Sequence, residues 1–164
     1  MPMTRGVDHL RRWATLGVIM KTTFQRIIEG ELPASFVLKN EKVCAFLDIH
    51  PYNAGHTLVV PRHFAASLEE LPQEFASAMF AAGRRIVIAL KNCGIPCDGV
   101  NLKLNDGVAA GQDVMHCHLH VIPRLHGDSL AAGGWGQVAS EPWDESRRMH
   151  LDGIAERIRE ALPE

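Results

Sequence analysis

One ten-residue stretch constrains the chain more than any other. Val114-Met115-His116-Cys117-His118-Leu119-His120-Val121-Ile122-Pro123 alternates histidine with apolar residues. In an extended strand successive side chains point to opposite faces, and residues two apart lie roughly 6.6 Å from each other. Read as a strand, Met115, Cys117, Leu119 and Val121 share a core-facing side, while His116, His118 and His120 share the other. On a helix, residues two apart do not face each other. The spacing therefore predicts a strand over Val114–Pro123. The solvent side of an ordinary edge strand takes Thr, Lys or Glu, so three histidines in register ask for a chemical explanation.

Two explanations compete. Imidazole ligates zinc, copper, iron and nickel, and it also serves as an acid, base or nucleophile. The surroundings favour the second. Ligating histidines are usually oriented by carboxylates that accept from the other ring nitrogen, and the strand supplies none. Just upstream lies a run of small residues and polar tips, Asn105-Asp106-Gly107 and Gly111-Gln112-Asp113. The backbone amides of such a loop can cradle an anion. Imidazole beside a phosphate-shaped loop points to phosphoryl or nucleotidyl transfer.

The rest of the chain predicts the frame for that strand. Lys21–Gly30 reads as a short amphipathic helix, capped by Thr22 or Thr23, with Phe24, Ile27 and Ile28 on one face. Ser35–Leu38 and Val43–Leu47 read as a hairpin around Lys39–Lys42, and His56–Pro61 as a third strand. Asp48–Gly55 is rich in turn formers. Phe75, Met79, Ala82, Ile86 and Leu90 recur at helical spacing between Pro72 and Gly94. Val100–Leu104 reads as a half-buried strand, followed by the turn Asn105-Asp106-Gly107. Residues 127–140 read as a glycine-rich loop, and Asp144–Leu162 as a terminal helix with Ile154, Ile158 and Leu162 on one stripe. The order predicts α+β: an antiparallel sheet of about five strands, one long helix and one or two short ones.

Composition narrows the function classes. At 164 residues the length predicts one domain. With 46% hydrophobic residues and a net charge of −2, the chain is neither disordered nor a general nucleic-acid binder. No apolar run approaches the roughly 18 residues of a membrane helix. The four cysteines (Cys44, Cys93, Cys97 and Cys117) lack Cys-x-x-Cys spacing, so they read as free thiols of a reduced, cytoplasmic protein. Residues 1–20, with Arg5, Arg11 and Arg12 before a short apolar stretch, read as an N-terminal extension to a single domain over 21–164, with Met20 a candidate alternative start.

His116-Cys-His118-Leu-His120-Val-Ile resembles the motif of the histidine triad family, in which three histidines alternate with apolar residues. The resemblance extends over roughly residues 21–126. Phe24–Pro33 looks like the family's opening helix, Ala45–Ile49 with Gly55–Pro61 like its second block, and Asn105–Arg124 like its third. It implies hydrolysis of nucleoside monophosphate derivatives, either AMP phosphoramidates or diadenosine polyphosphates, through a covalent nucleotidyl-histidine. His118 would be the nucleophile, with His116 and His120 binding phosphate oxygens and holding its tautomer, and His56 supporting the triad. Asp48 would bind the ribose. Phe24, Ile27, Leu32 and Phe46 would line the base pocket. Asn105, Gly111, Gln112 and Asp113 would contact phosphate or leaving group. The resemblance further implies a purine nucleotide substrate, a homodimer with joined sheets, and no cofactor.

Three departures from the family pattern bear on these expectations. Many bacterial members carry a Cys-x-x-Cys near the N-terminus that helps bind structural zinc; the aligned positions here are Thr22 and Gln25, so no such zinc is expected and His63 loses a role in it. Asp113 stands where some branches have Ser or Thr. The third triad residue is His120 rather than glutamine, which favours a hydrolase over the related hexose-phosphate nucleotidyltransferases. A nucleotide-binding scaffold and a zinc metalloenzyme are the rival readings. His9, His50, His63, His126 and His150 receive no role, and Arg124 is a candidate for an anionic leaving group.

Overall fold

The computed structural model describes residues 21–128 and 144–164. The proposed extension over residues 1–20 and most of the loop read over 127–140 lie outside the described residues. The elements are α1 (Thr23–Ile28), β1 (Phe36–Lys39), β2 (Val43–Leu47), β3 (Thr57–Pro61), α2 (Gln73–Asn92), β4 (Gly99–Leu104), β5 (Leu119–Arg124) and α3 (Glu145–Glu160). A single 3-10 turn, Val108–Ala110, lies between β4 and β5. The α+β class and the five-stranded antiparallel sheet are as the sequence predicts.

The strands lie in the order β1-β2-β3-β5-β4, every neighbouring pair antiparallel. Thus β5 slots between β3 and β4 although α2 and β4 precede it in the chain. The β1–β2 turn is closed by Asn40, whose Oδ1 accepts from the N–H groups of Lys42 (2.9 Å) and Val43 (2.8 Å). Opposed residues of antiparallel strands share a face. The register therefore lines up Phe36, Phe46, Leu58, His120 and Lys103 in one row across all five strands. That row is the floor of the candidate site.

Both sheet faces are covered, so β2 and β3 are buried along their whole length rather than alternating. Val43, Ala45, Leu47, Val59, Leu119 and Val121 join α2 and α3 residues such as Ile86, Leu90, Ile154 and Ile158 in the main core. Cys44, Phe46, Leu58 and Val60 point the other way and meet Phe24 and Ile27 of α1 in a smaller cluster. Two glycines mark where the layers press together. A Cβ on Gly83 of α2 would meet Leu119 Cδ2 at 3.0 Å, and one on Gly55 would meet Leu90 Cδ2 at 2.8 Å. Gly55 also has φ +92°, a conformation that only glycine adopts cheaply.

The local signals explain the helix ends. Thr22 caps α1 through a capping box with Gln25. Asp144 caps α3, its Oδ1 accepting from Arg147 N–H at 2.8 Å. Gly94 ends α2 with φ +73°.

One expected element is shorter than read. The histidine strand was expected from Val114, but the ladder begins at Leu119. Val114–His116 form a bend in which His116 N–H bonds Val114 O (2.8 Å), and Cys117 N–H bonds Ala65 O (2.8 Å), a loop carbonyl. The physical reason lies in β3. Its ladder with β5 spans only Thr57–Val59, and it ends in Pro61, which has no N–H to offer a neighbour. The Pro61 carbonyl is taken instead by the side chain of His116 (2.9 Å). Two smaller differences are also plain. Strand β4 does not alternate in burial, as befits the sheet edge, and leaves Leu102 37% exposed. Leu162 lies beyond the end of α3, where Leu151 joins Ile154 and Ile158 instead.

Candidate active site

A cleft of about 190 Å³ opens over the row Phe46–Leu58–His120. Its apolar wall comes from Phe24, Ile27, Phe46 and Leu58, and its polar end from Asp48, Asp113, His118 and His120. Helix α1 supplies the wall because Phe24 docks edge-on against both Phe46 (5.6 Å between ring centroids) and His118 (5.0 Å).

The hydrogen bonds fix the tautomer of each histidine. A carbonyl accepts only, so His118 Nδ1 donates to His116 O (2.8 Å) and its lone pair sits on Nε2. His116 Nε2 likewise donates to Pro61 O (2.9 Å), leaving Nδ1 to accept from the Thr22 hydroxyl (3.3 Å). Tyr52 N–H donates to His56 Nδ1 (3.3 Å). His56 Nε2 must then donate to His120 Nδ1 (3.0 Å), which puts the remaining proton of His120 on Nε2. The four rings form two chains that end on an unprotonated nitrogen at His118 and a donor at His120.

Burial keeps these rings neutral. Removal from water pushes His56 down to about 3, with the neighbouring His120 and His118 adding to the effect. Burial, then His118 and Lys103, push His120 down to about 4. Burial also lowers His116 and His118, against the carbonyl bonds that favour their charged forms. Asp48 Oδ2 stands 3.7 Å from His56 Nδ1, but a neutral ring whose Nδ1 accepts from Tyr52 makes no ion pair there. Burial raises the Asp48 carboxyl, against the His50 N–H that its Oδ1 accepts (2.8 Å).

Seven of the expected residues line the cleft: His118, His120, Asp48, Phe24, Ile27, Phe46 and Asp113. His116 and His56 stand behind its wall, buried and bonded to its rings. The structure does not bring Leu32, Asn105, Gly111 or Gln112 into the wall. Leu32 packs under α1. Asn105 Nδ2 bonds Gly111 O (3.1 Å), and the buried Gln112 amide ties together Gly107 N–H (2.7 Å), Ala66 O (2.8 Å) and Val114 O (3.0 Å). These amides shape the loop that presents Asp113. Arg124 is engaged by Asp128 through two hydrogen bonds of 2.9 and 2.6 Å and does not line the cleft.

The sequence reading missed three contributors. His50 lines the cleft beside Asp48, a place that its turn-rich loop does not advertise. Tyr52 stacks on His56 (5.3 Å between centroids) and orients it through a backbone N–H, which no side-chain pattern records. Thr22 was read only as a helix cap.

Two metal arrangements can be tested against the residues. Donor atoms of Asp48, His56 and His120 lie within 4.8 Å of one another. A cation bound there through His56 Nε2 or His120 Nδ1 would displace the hydrogen bond between these two nitrogens. At the N-terminal position where thiolates would hold zinc, Thr22 and Gln25 close a capping box, and neutral hydroxyl and amide groups do not fit a zinc site.

The HIT domain family model matches residues 29–127. The chain is 39% identical over 136 residues to a HIT-like protein of Methanocaldococcus jannaschii, covering 83% of this chain and 97% of that one. It is 31% identical over 132 residues to the adenosine 5'-monophosphoramidase of Saccharomyces cerevisiae, covering 80% of each. Among solved structures, a zinc-bound histidine triad family protein of Mycobacterium smegmatis superposes with a TM-score of 0.72 at 36% identity, covering 87% of this chain and 93% of that one. The chain belongs to the histidine triad (HIT) family.

Proposed function

We propose that this protein hydrolyses nucleoside monophosphate derivatives through a covalent nucleotidyl-His118 intermediate, with purine nucleotides carrying a P–N or P–O–P bond as its substrates. The observation that carries the reading is His118 itself. It is a neutral imidazole with its Nδ1 proton held by a backbone carbonyl and its lone pair on Nε2, on the wall of the cleft. A yeast relative named as an adenosine 5'-monophosphoramidase supports the same chemistry.

The residues divide the work. The apolar wall of Phe24, Ile27, Phe46 and Leu58 suits a planar base, and Asp48 suits the ribose hydroxyls. His118 Nε2 attacks the α-phosphorus, and the bond from phosphorus to the leaving atom breaks. For a phosphoramidate the departing nitrogen takes one proton from water. The new His118–phosphorus bond makes the ring an imidazolium whose Nδ1–H still donates to His116 O. The developing charge on the phosphoryl oxygens meets the Nε2–H of His120, oriented through His56. Hydroxide or water then attacks phosphorus, the P–N bond to His118 breaks, and AMP leaves with the neutral ring restored.

We further infer that a second copy extends the sheet at β4, whose outer edge is unpaired among the described residues. Sedimentation reads the oligomeric state, and a monomer at micromolar concentration overturns that part.

The decisive experiment offers AMP phosphoramidate and diadenosine tetraphosphate with a chelator present, followed by acid quench to trap a nucleotidyl-enzyme. The expected result is turnover with label on His118. Loss of activity on chelation would favour the metal reading. Tight nucleotide binding without turnover would favour a binding module.

A further inference from the structure

Thr22 makes a contact that helix capping does not require. Its hydroxyl oxygen accepts from Gln25 N–H (3.1 Å), which satisfies the first turn of α1. The single hydroxyl proton is then free to be donated, and it points across 94 residues of sequence to His116 Nδ1 at 3.3 Å. His116 is fully buried, and its other nitrogen already donates to Pro61 O. Without Thr22 the Nδ1 lone pair would be a buried acceptor with nothing to accept from.

The consequence runs to the nucleophile. The His116 carbonyl holds the Nδ1 proton of His118. Whatever fixes the His116 ring also fixes the backbone segment that carries this carbonyl. That segment is a bend outside the β5 ladder, so no strand neighbour holds it there. Gln112 and Asp113 hold its Val114 end, and its His116 end is held by Cys117 N–H on Ala65 O and by the two bonds of the His116 ring.

We propose that Thr22 is a positioning residue for the nucleophile: its hydroxyl locks His116 as the Nε2–H tautomer and so holds the carbonyl that orients His118. The proposal rests on the nucleotidyl-His118 reading above. It also gives the non-thiolate residue at this position a function. A hydrogen bond to His116 serves here, and the same hydroxyl ties the α1 wall of the nucleotide cleft to the triad.

Four variants of the full chain separate positioning from capping. Thr22→Val keeps the shape and loses the hydroxyl. Thr22→Ser keeps donor and acceptor. Thr22→Asp caps the helix but has no proton to donate at neutral pH. Gln25→Ala weakens the capping box without touching His116. The expected result with AMP phosphoramidate is a fall in kcat of about ten-fold for Thr22→Val, with KM moving less than about three-fold, the loss expected when an interaction orienting the reacting group goes. Thr22→Ser is expected within about two-fold of the parent, and Gln25→Ala is expected to lower the unfolding midpoint while leaving kcat unchanged. Nitrogen-15 NMR of His116 supplies a readout that stability alone does not move. The parent and Thr22→Ser should show protonated Nε2 and bare Nδ1, and Thr22→Asp should show both nitrogens protonated. Parental kcat in folded Thr22→Val, or equal losses of kcat in Gln25→Ala and Thr22→Val, overturns the proposal. The NMR signature is independent of turnover. A His118→Ala variant that still turns over would instead overturn the nucleophile reading.

Discussion

The two faces of one sheet have opposite jobs, and the same strands build both. Val59 and Val121 point into a hydrophobic core shared with Ile86, Leu90 and Ile158. One residue along, Leu58 and His120 point into the cleft, where rings are held by hydrogen bonds to carbonyls and to each other. The first face gains from packing alone. The second buries four imidazoles, a cost that is met by giving each nitrogen a partner or a place on the cleft wall. The difference teaches where to expect stability to reside and where to expect chemistry.

The sharpest way to break that comparison is a crossed pair of substitutions. His118→Ala is expected to reduce turnover of AMP phosphoramidate by on the order of 10³-fold or more, because the covalent step has no other nucleophile. Its unfolding midpoint in urea should stay close to the parent. Leu90→Ala on the other face should lose about 2–5 kcal/mol of stability, the usual range for truncating a buried leucine. Its kcat should remain within a few-fold at temperatures where it is folded. If His118→Ala unfolds as easily as Leu90→Ala, the division of labour between the faces is wrong.

A pH series tests the same contrast more gently. Folded His56 and His120 titrate at about 3 and about 4, against about 6.5 for unfolded histidine. Between these limits the unfolded chain binds more protons than the folded one, so stability is fully present above pH 6.5 and falls as pH drops toward 4. Asp48, with its carboxyl raised by burial, works in the opposite direction at the acid end. The urea midpoint should fall steadily from pH 7 to pH 4.5, and His120→Asn should flatten that slope. A slope unchanged by His120→Asn would show that the buried imidazoles are not its source.

How much of this was legible in the sequence follows from what a pattern can carry. Composition marked Val43–Leu47 and His56–Pro61 as strands, but both are buried along their whole length, so their burial does not say which residue faces the cleft. Alternation grouped His116, His118 and His120, of which the structure places His118 and His120 on the cleft wall and His116 behind it. It did not show that the backbone leaves the ladder before Leu119, since alternation says nothing about which carbonyl an N–H finds. The resemblance implied a phosphate contact for Gln112, whose buried amide bonds Gly107 N–H, Ala66 O and Val114 O, a set of partners that no sequence pattern records. Tyr52 acts on His56 through its main chain, so its side-chain identity carries no signal of that bond. The triad's members were readable, and the bonds that set their tautomers were not.

The smallest expected effect concerns an exposed carboxylate on the cleft face. Asp113 lines the cleft and is exposed, its Oδ1 accepting from Val114 N–H at 3.0 Å. Its negative field favours the protonated forms of both His118 and His120, though burial outweighs it at each. Solvent screens such a charge to about 0.2–1 kcal/mol, which corresponds to rate effects of roughly 1.4- to 5-fold. Asp113→Asn removes the charge and keeps the shape. It should shift the acid limb of the pH–rate profile to lower pH, because His118 becomes harder to protonate. It should also raise turnover of diadenosine tetraphosphate relative to AMP phosphoramidate by about 3-fold, because an anionic leaving group no longer meets a carboxylate. A core substitution of similar size would change neither the ratio nor the limb. If both substrates respond equally to Asp113→Asn, the carboxylate acts on the histidines alone and the leaving group is chosen elsewhere in the cleft.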